Sequence, residues 1–160
     1  MGRFFVIFLL FLPTTTLWAK APMVGDLAPN FTVTSLKGDN ISLSSFRGKV
    51  VLIGMFHICV PCKNQALEFE KVRKALSSEK LIIIGINTAG DSNNAVSEYL
   101  NSFPSPIHFP YYIDPGQSVH KAYTQRDMPT VLIVGFDGKL LARSPAVGAD
   151  QLIPYLKNLL

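Results

Sequence analysis

The sequence predicts an α/β domain, a mixed central sheet flanked by helices. Residues 49–55 and 81–86 are continuous, β-rich apolar runs, as expected of strands whose two faces are both covered. Between them, residues 61–77 carry Ala66, Phe69, Val72 and Leu76 at helical spacing with charges interleaved. Strand, helix and strand in that order make a parallel βαβ unit with a right-handed crossover. Further on, residues 130–136 and 139–143 read as strands joined by Asp137-Gly138, a strong hairpin signal, so the second half of the sheet is antiparallel.

The remaining elements follow in order. Residues 31–35 and 41–43 alternate around Lys37-Gly38-Asp39 and predict an N-terminal hairpin. Gly90-Asp91-Ser92 caps a helix with Val96, Tyr99, Leu100 and Phe103 on one side. Pro104, Pro106 and Pro110 break the pattern before a short extended piece at 111–113, and residues 116–123 form a brief helix with Val119 and Tyr123 inward. A last amphipathic helix holds Leu152, Ile153, Leu156, Leu159 and Leu160. Pro154 restricts where it starts, because inside the helix it removes a backbone bond.

The N-terminus reads as a secretion signal. Arg3 is followed by residues 4–12, which have no polar side-chain atom, and small residues offer cleavage after Ala19, with Ala21 as the alternative. Residues 1–19 are thus the signal and 22–160 the single domain, about 140 residues with one core. Left uncleaved, the leader is a membrane anchor, although it falls short of the ~20 residues that span a bilayer comfortably. Either way the domain is exported, and periplasmic in a bacterium. The formal charge of +4 drops by one when Arg3 leaves. Lys63, Lys71, Arg73 and Lys74, with Glu68 and Glu70 among them, read as a solvated helix face. Nucleic-acid binding would need a denser basic cluster.

The chain has two cysteines, Cys59 and Cys62. A structural disulfide normally closes a long loop, whereas a four-residue loop gains only roughly 2 kcal/mol in the chain-entropy account. The spacing therefore points to chemistry. The pair sits where a central strand turns into a helix, and a helix N-terminus offers unpaired N–H groups and partial positive charge to a thiolate. Pro61 lies in the first turn, where a missing N–H matters little. Cys59 is the expected attacking sulfur, and Cys62, one turn further in, resolves the mixed disulfide. A second cue is Met128-Pro129-Thr130 at the start of a strand, since only X-Pro bonds reach the cis form readily.

Five stretches, residues 25–31, 44–51, 59–63, 128–130 and 136–139, resemble the TlpA and ResA-like branch of the thioredoxin superfamily, with N-terminal motifs of the AhpC/TSA-redoxin type. The resemblance covers almost the whole mature chain. It implies a thioredoxin fold with an added N-terminal hairpin and an inserted strand-helix segment at about 87–112. It also implies a cis Pro129, with Met128, Pro129 and Thr130 presenting backbone to a bound peptide. Members are exported or membrane-tethered thiol-disulfide oxidoreductases that keep particular cysteines reduced, including those of apocytochrome c or of copper-site proteins. The expected partners are cysteine-containing clients and a membrane electron donor or acceptor. The protein is expected to be monomeric, with no cofactor and no resident metal.

The chain also departs from that pattern. The usual Phe-Trp-Ala-x-Trp before the first cysteine is replaced by Gly54-Met55-Phe56-His57-Ile58. Ile53 stands where thioredoxin has its buried acid, and the acid that ResA-like proteins carry after the next strand has only Asp91 as an offset counterpart. Asp127-Met128-Pro129-Thr130 does not match the cytochrome-specific proline loop. His57 has two readings: a cation that lowers the thiol pKa, with Asp91 as a further modulator, or an uncoupled loop histidine. His108 and His120, distant in sequence, are expected at the surface or in turns. Two rival functions use the same residues. One is soft-metal or copper binding through Cys59, Cys62 and a histidine. The other is peroxidase chemistry, against which Phe56 stands where peroxiredoxins place Thr or Ser.

Overall fold

The computed structural model describes residues 20–160; the predicted leader, residues 1–19, lies outside them. Its centre is β3 (Val50–Phe56), buried at every position. Parallel to it runs β4 (Leu81–Asn87), in register from Val50↔Leu81 to Phe56↔Asn87, with α1 (Val60–Ala75) as the crossover. On the other side β6 (Thr130–Val134) is antiparallel to β3, and β7 (Leu140–Ser144) is antiparallel to β6. The N-terminal hairpin, β1 (Thr32–Ser35) and β2 (Asn40–Ser42), joins through β5 (Tyr111–Ile113), giving seven strands in the order β2-β1-β5-β4-β3-β6-β7. This is the expected mixed sheet of a thioredoxin fold, and the predicted insert supplies α2 (Asn93–Asn101) and β5.

Alternation along β3 divides the core in two. Val50, Leu52 and Phe56 face α1, α2 and α4 (Ala149–Lys157). Val51, Ile53 and Met55 face α3 (Ser118–Ala122), Phe31 and Leu43. The first core is built around aromatic rings, with Phe56 stacked on Tyr111 at 6.0 Å and tilted against Phe69 at 5.8 Å. Two glycines paired across the strands, Gly54 and Gly85, leave room for them: a Cβ on Gly54 would run into the Phe56 ring, and one on Gly85 into that of Tyr111. No helix among the described residues is long and apolar enough to cross a membrane.

Two expectations need correction. Pro154 lies inside α4 rather than limiting its start. The carbonyl it leaves without a donor is that of Asp150, an exposed residue that water can reach. The solvated face predicted for α1 holds for Lys71 and Lys74, but Glu70 is 3% exposed. Its carboxylate accepts from Arg73 Nε and Nη2 at 3.0 and 2.8 Å and from the His108 backbone N–H at 2.9 Å, and it contacts His108 Nδ1 at 2.9 Å. These contacts tie α1 to the loop that returns from the insert.

The hydrogen bonds from Arg73, aided by those from His108, outweigh burial and hold the Glu70 carboxyl down to about 2. Because the folded pKa lies below the unfolded value, this carboxylate contributes stability above about pH 4.3, and the contribution is lost as the pH falls toward the folded value. Urea midpoints measured at about pH 5 and about pH 3 should therefore fall steeply in the wild type and clearly less in Glu70→Gln.

Candidate active site

Chain direction brings the sulfurs to one end of the sheet. β3 delivers the chain through His57 and Ile58 to Cys59, which is extended (φ −153°, ψ 158°) and caps α1. Its Sγ accepts a hydrogen bond from the Cys62 backbone N–H at 3.2 Å, the arrangement a Ser or Asp cap would make with oxygen. Its carbonyl accepts the first helical bond, from Lys63 N at 3.0 Å. Pro61 lies in the first turn, and no acidic residue does, so nothing there opposes a negative sulfur. Cys59 and Cys62 form a disulfide with Cα atoms 5.3 Å apart. The two sulfurs differ in access: Cys62 is 0% exposed and packs in the first core, whereas Cys59 is partly exposed beside Ile58 and Val60, both open to solvent. The inner Sγ accepts from the His57 backbone N–H at 3.3 Å.

The Met128–Pro129 bond is cis. Thr130 pairs with Met55 across β6 and β3, which places Pro129 at the same sheet end as Cys59. Thr130 Oγ1 fixes the turn by donating to the Asp127 carbonyl at 2.6 Å. Pro129 is buried and Met128 exposed, so Met128, Ile58 and Val60 are apolar side chains open to solvent at this end of the molecule.

The surroundings of His57 weigh against the cation that one of its two readings expected. Burial first, then the neighbouring His120, pushes its pKa down; Asp91 pulls it the other way without prevailing. Its Nε2 is buried without a partner. His120, expected to lie apart, has its ring 6.4 Å from that of His57, because α3 packs on the face toward which β3 directs this side chain. His108 does lie at the surface, against Glu70. Asp91 accepts from Asn87 Nδ2 at 2.9 Å, and its charge acts on His57 and Tyr111. Buried Gln125 joins the parts: its Nε2 donates to the carbonyls of Met55 and Asp127, both at 3.2 Å, and its Oε1 accepts from Thr88 Oγ1 at 2.6 Å.

Residues 24–143 match the AhpC/TSA family. The chain belongs to that family. Among its relatives is the thiol-disulfide oxidoreductase ResA of Bacillus thuringiensis subsp. konkukian, 29% identical over 138 residues, which cover 85% of this chain and 78% of that protein. ResA of Bacillus subtilis strain 168 is 28% identical over 137 residues, covering 85% and 75%. In structure, the thioredoxin domain of a thiol-disulfide oxidoreductase from Bacteroides vulgatus superposes with a TM-score of 0.75 at 22% identity, covering 86% of this chain and 98% of that one.

The surroundings of Cys59 include the position at which the peroxidase reading would need a Thr or Ser. Phe56, three residues earlier, is fully buried against Phe69 and Tyr111 and has no hydroxyl to offer the sulfur. Among the described residues, no three His, Cys, Asp or Glu side chains are grouped so as to hold a metal ion. Sequence reasoning missed Gln125, Thr88 and the hydroxyl of Tyr99, which donates to the Cys59 carbonyl at 2.7 Å. Tyr99 was visible only as an apolar position on a helix, and Gln125 and Thr88 carried no pattern at all.

Burial and His120 both oppose a positive charge on His57. His57→Ala should therefore move the pH profile of Cys59 alkylation in the reduced protein by less than about one unit, as followed by iodoacetamide labelling.

Proposed function

We propose that this chain is an exported thiol-disulfide oxidoreductase that works as a reductase of client proteins, with Cys59 as the attacking sulfur and Cys62 as the resolving one. Membership of the AhpC/TSA family and likeness to ResA support the activity. The observation that carries the division of labour is the contrast between a partly exposed Cys59 on the helix end and a fully enclosed Cys62 one turn inside. Starting from the dithiol, the Cys59 thiolate attacks one sulfur of a client disulfide. A Cys59–client bond forms, the client S–S bond breaks, and the electron pair leaves on the client's other sulfur. Cys62 then gives up its proton and attacks the Cys59 sulfur, releasing the second client thiol and forming the disulfide between Cys59 and Cys62. Two electrons from a membrane donor restore the dithiol. Met128, Pro129 and Thr130 form the edge on which the client backbone lies, and the exposed apolar Ile58, Val60 and Met128 favour an extended peptide over a small molecule. The compartment is the periplasm, reached through the N-terminal leader. Apocytochrome c and metal-site cysteines are the client forms to test.

The reducing direction rests on how little stabilises the thiolate. Val60-Pro61 puts no histidine between the cysteines, and burial together with His120 opposes a charge on His57. What remains is the helix end and the Cys62 N–H. A weakly stabilised thiolate makes the dithiol the better electron donor, with a potential between about −270 and about −180 mV. Equilibration with glutathione tests this; a value near about −120 mV would make the protein an oxidant and overturn the reading.

The division of labour has its own test. Cys62→Ser should accumulate mixed disulfides with a disulfide-bearing peptide, whereas Cys59→Ser should accumulate few, as counted by mass spectrometry of quenched reactions. Equal trapping by both variants removes the assignment.

A further inference from the structure

The insert reaches back to the reactive turn. Near the C-terminal end of α2, Tyr99 is largely buried and its hydroxyl donates to the carbonyl of Cys59 at 2.7 Å. Its ring meets Phe103 edge-on, with centroids 5.0 Å apart. Lys63, the residue after Cys62, closes the arrangement from α1. Its Nζ lies 5.8 and 5.5 Å from the Tyr99 and Phe103 ring centroids and donates to the Ser102 carbonyl and Oγ at 3.3 and 3.0 Å. Ser102 Oγ in turn donates to the Tyr99 carbonyl at 2.6 Å. Burial pushes the Tyr99 hydroxyl up to about 12, so it remains a donor through the working range.

We infer that Tyr99 is a positioning residue for Cys59, holding the attacking sulfur over the α1 N-terminus in the reduced state through its hydrogen bond to the Cys59 carbonyl. This rests on the assignment of Cys59 as the attacking sulfur. In the oxidised protein the disulfide itself fixes Cys59. Once it opens, the backbone of Cys59 is held by two bonds to its carbonyl, from Lys63 N and from Tyr99 Oη. Cys59 is also the residue at which the chain changes from extended to helical, and a small rotation there would carry Sγ off the Cys62 N–H. Two donors on one carbonyl oppose that rotation. Tyr99 touches no reacting atom, and its effect passes through the geometry and electrostatics of Cys59. The clasp with Lys63, Ser102 and Phe103 keeps the hydroxyl where it is needed.

Tyr99→Phe keeps the ring, its packing and the Lys63 contact while removing one oxygen. In the reduced variant the Cys59 thiol pKa should rise. Its alkylation below neutral pH should slow by roughly three- to tenfold, the value of about one hydrogen bond, and the equilibrium with glutathione should move toward the disulfide by the same factor. Thermal stability of the oxidised form should fall by no more than the value of about one hydrogen bond, whereas Tyr99→Leu should show the same redox shift together with a larger loss of stability. An unchanged alkylation profile and an unchanged glutathione equilibrium in Tyr99→Phe would overturn the inference, as would a change in thermal stability alone. Wild-type protein labelled in parallel separates the two readings. If Cys62 is labelled before Cys59, the attacking-sulfur assignment fails and this inference fails with it. If Cys59 is labelled first and Tyr99→Phe behaves as wild type, the Tyr99 inference alone fails.

Discussion

The hydrogen bond from the Cys62 backbone to the Cys59 sulfur is the interaction on which the site depends, and the sheet is arranged to make it possible. The capping sulfur is held in place here because its helix begins just beyond a strand that is fixed on every side. β3 meets that condition because it is buried on both faces and hydrogen-bonded on both edges. Its neighbours run in opposite senses, with a useful result. The parallel partner β4 contributes its C-terminal end, bringing Asn87, Thr88 and the following Asp91 alongside. The antiparallel partner β6 contributes its beginning, and with it Pro129. Three separate stretches of chain therefore meet at one rim.

The charge distribution along α1 follows the same logic. Acidic side chains are absent from its first turn, and Arg73 and Lys74 occupy its last, complementing the carbonyl end of the helix. Farther along, Gln65 holds the loop before α4 through both of its amide atoms, at 2.7 and 2.8 Å from the Val147 backbone. Glu70 holds the loop before β5. The helix that carries the chemistry is thus fastened along its length by side chains that sit well away from the sulfurs.

Much of this was legible in the sequence, because apolar period and turn chemistry are local properties. The βαβ unit, the Asp137-Gly138 hairpin, the insert and the position of both cysteines emerge as read. What a sequence period cannot supply is the identity of the partner across a gap. Tyr99 reads as one more apolar helical position, since nothing local reveals that its hydroxyl overlies the Cys59 carbonyl. His57 and His120 meet because β3 and α3 pack together, and their separation of 63 positions in the chain hides that. The lowering of the His57 pKa follows from the same packing, so it too was out of reach. Pro154 illustrates a different limit: the rule against proline in helix interiors is energetic, and an exposed residue four positions earlier with packing on the opposite face lowers its weight.

The paired glycines of β3 and β4 have a consequence for how such a site can vary. Gly54 and Gly85 lie side by side in the register, each beneath an aromatic ring that occupies the space its own side chain would take. Small and large are therefore exchanged within a pair: 54 with 56, and 85 with 111. In a lineage of such chains these positions should change jointly, the glycine acquiring a side chain only as its ring is cut down. The aromatic part of the first core thus carries a volume constraint that couples four residues, none of which takes part in the chemistry.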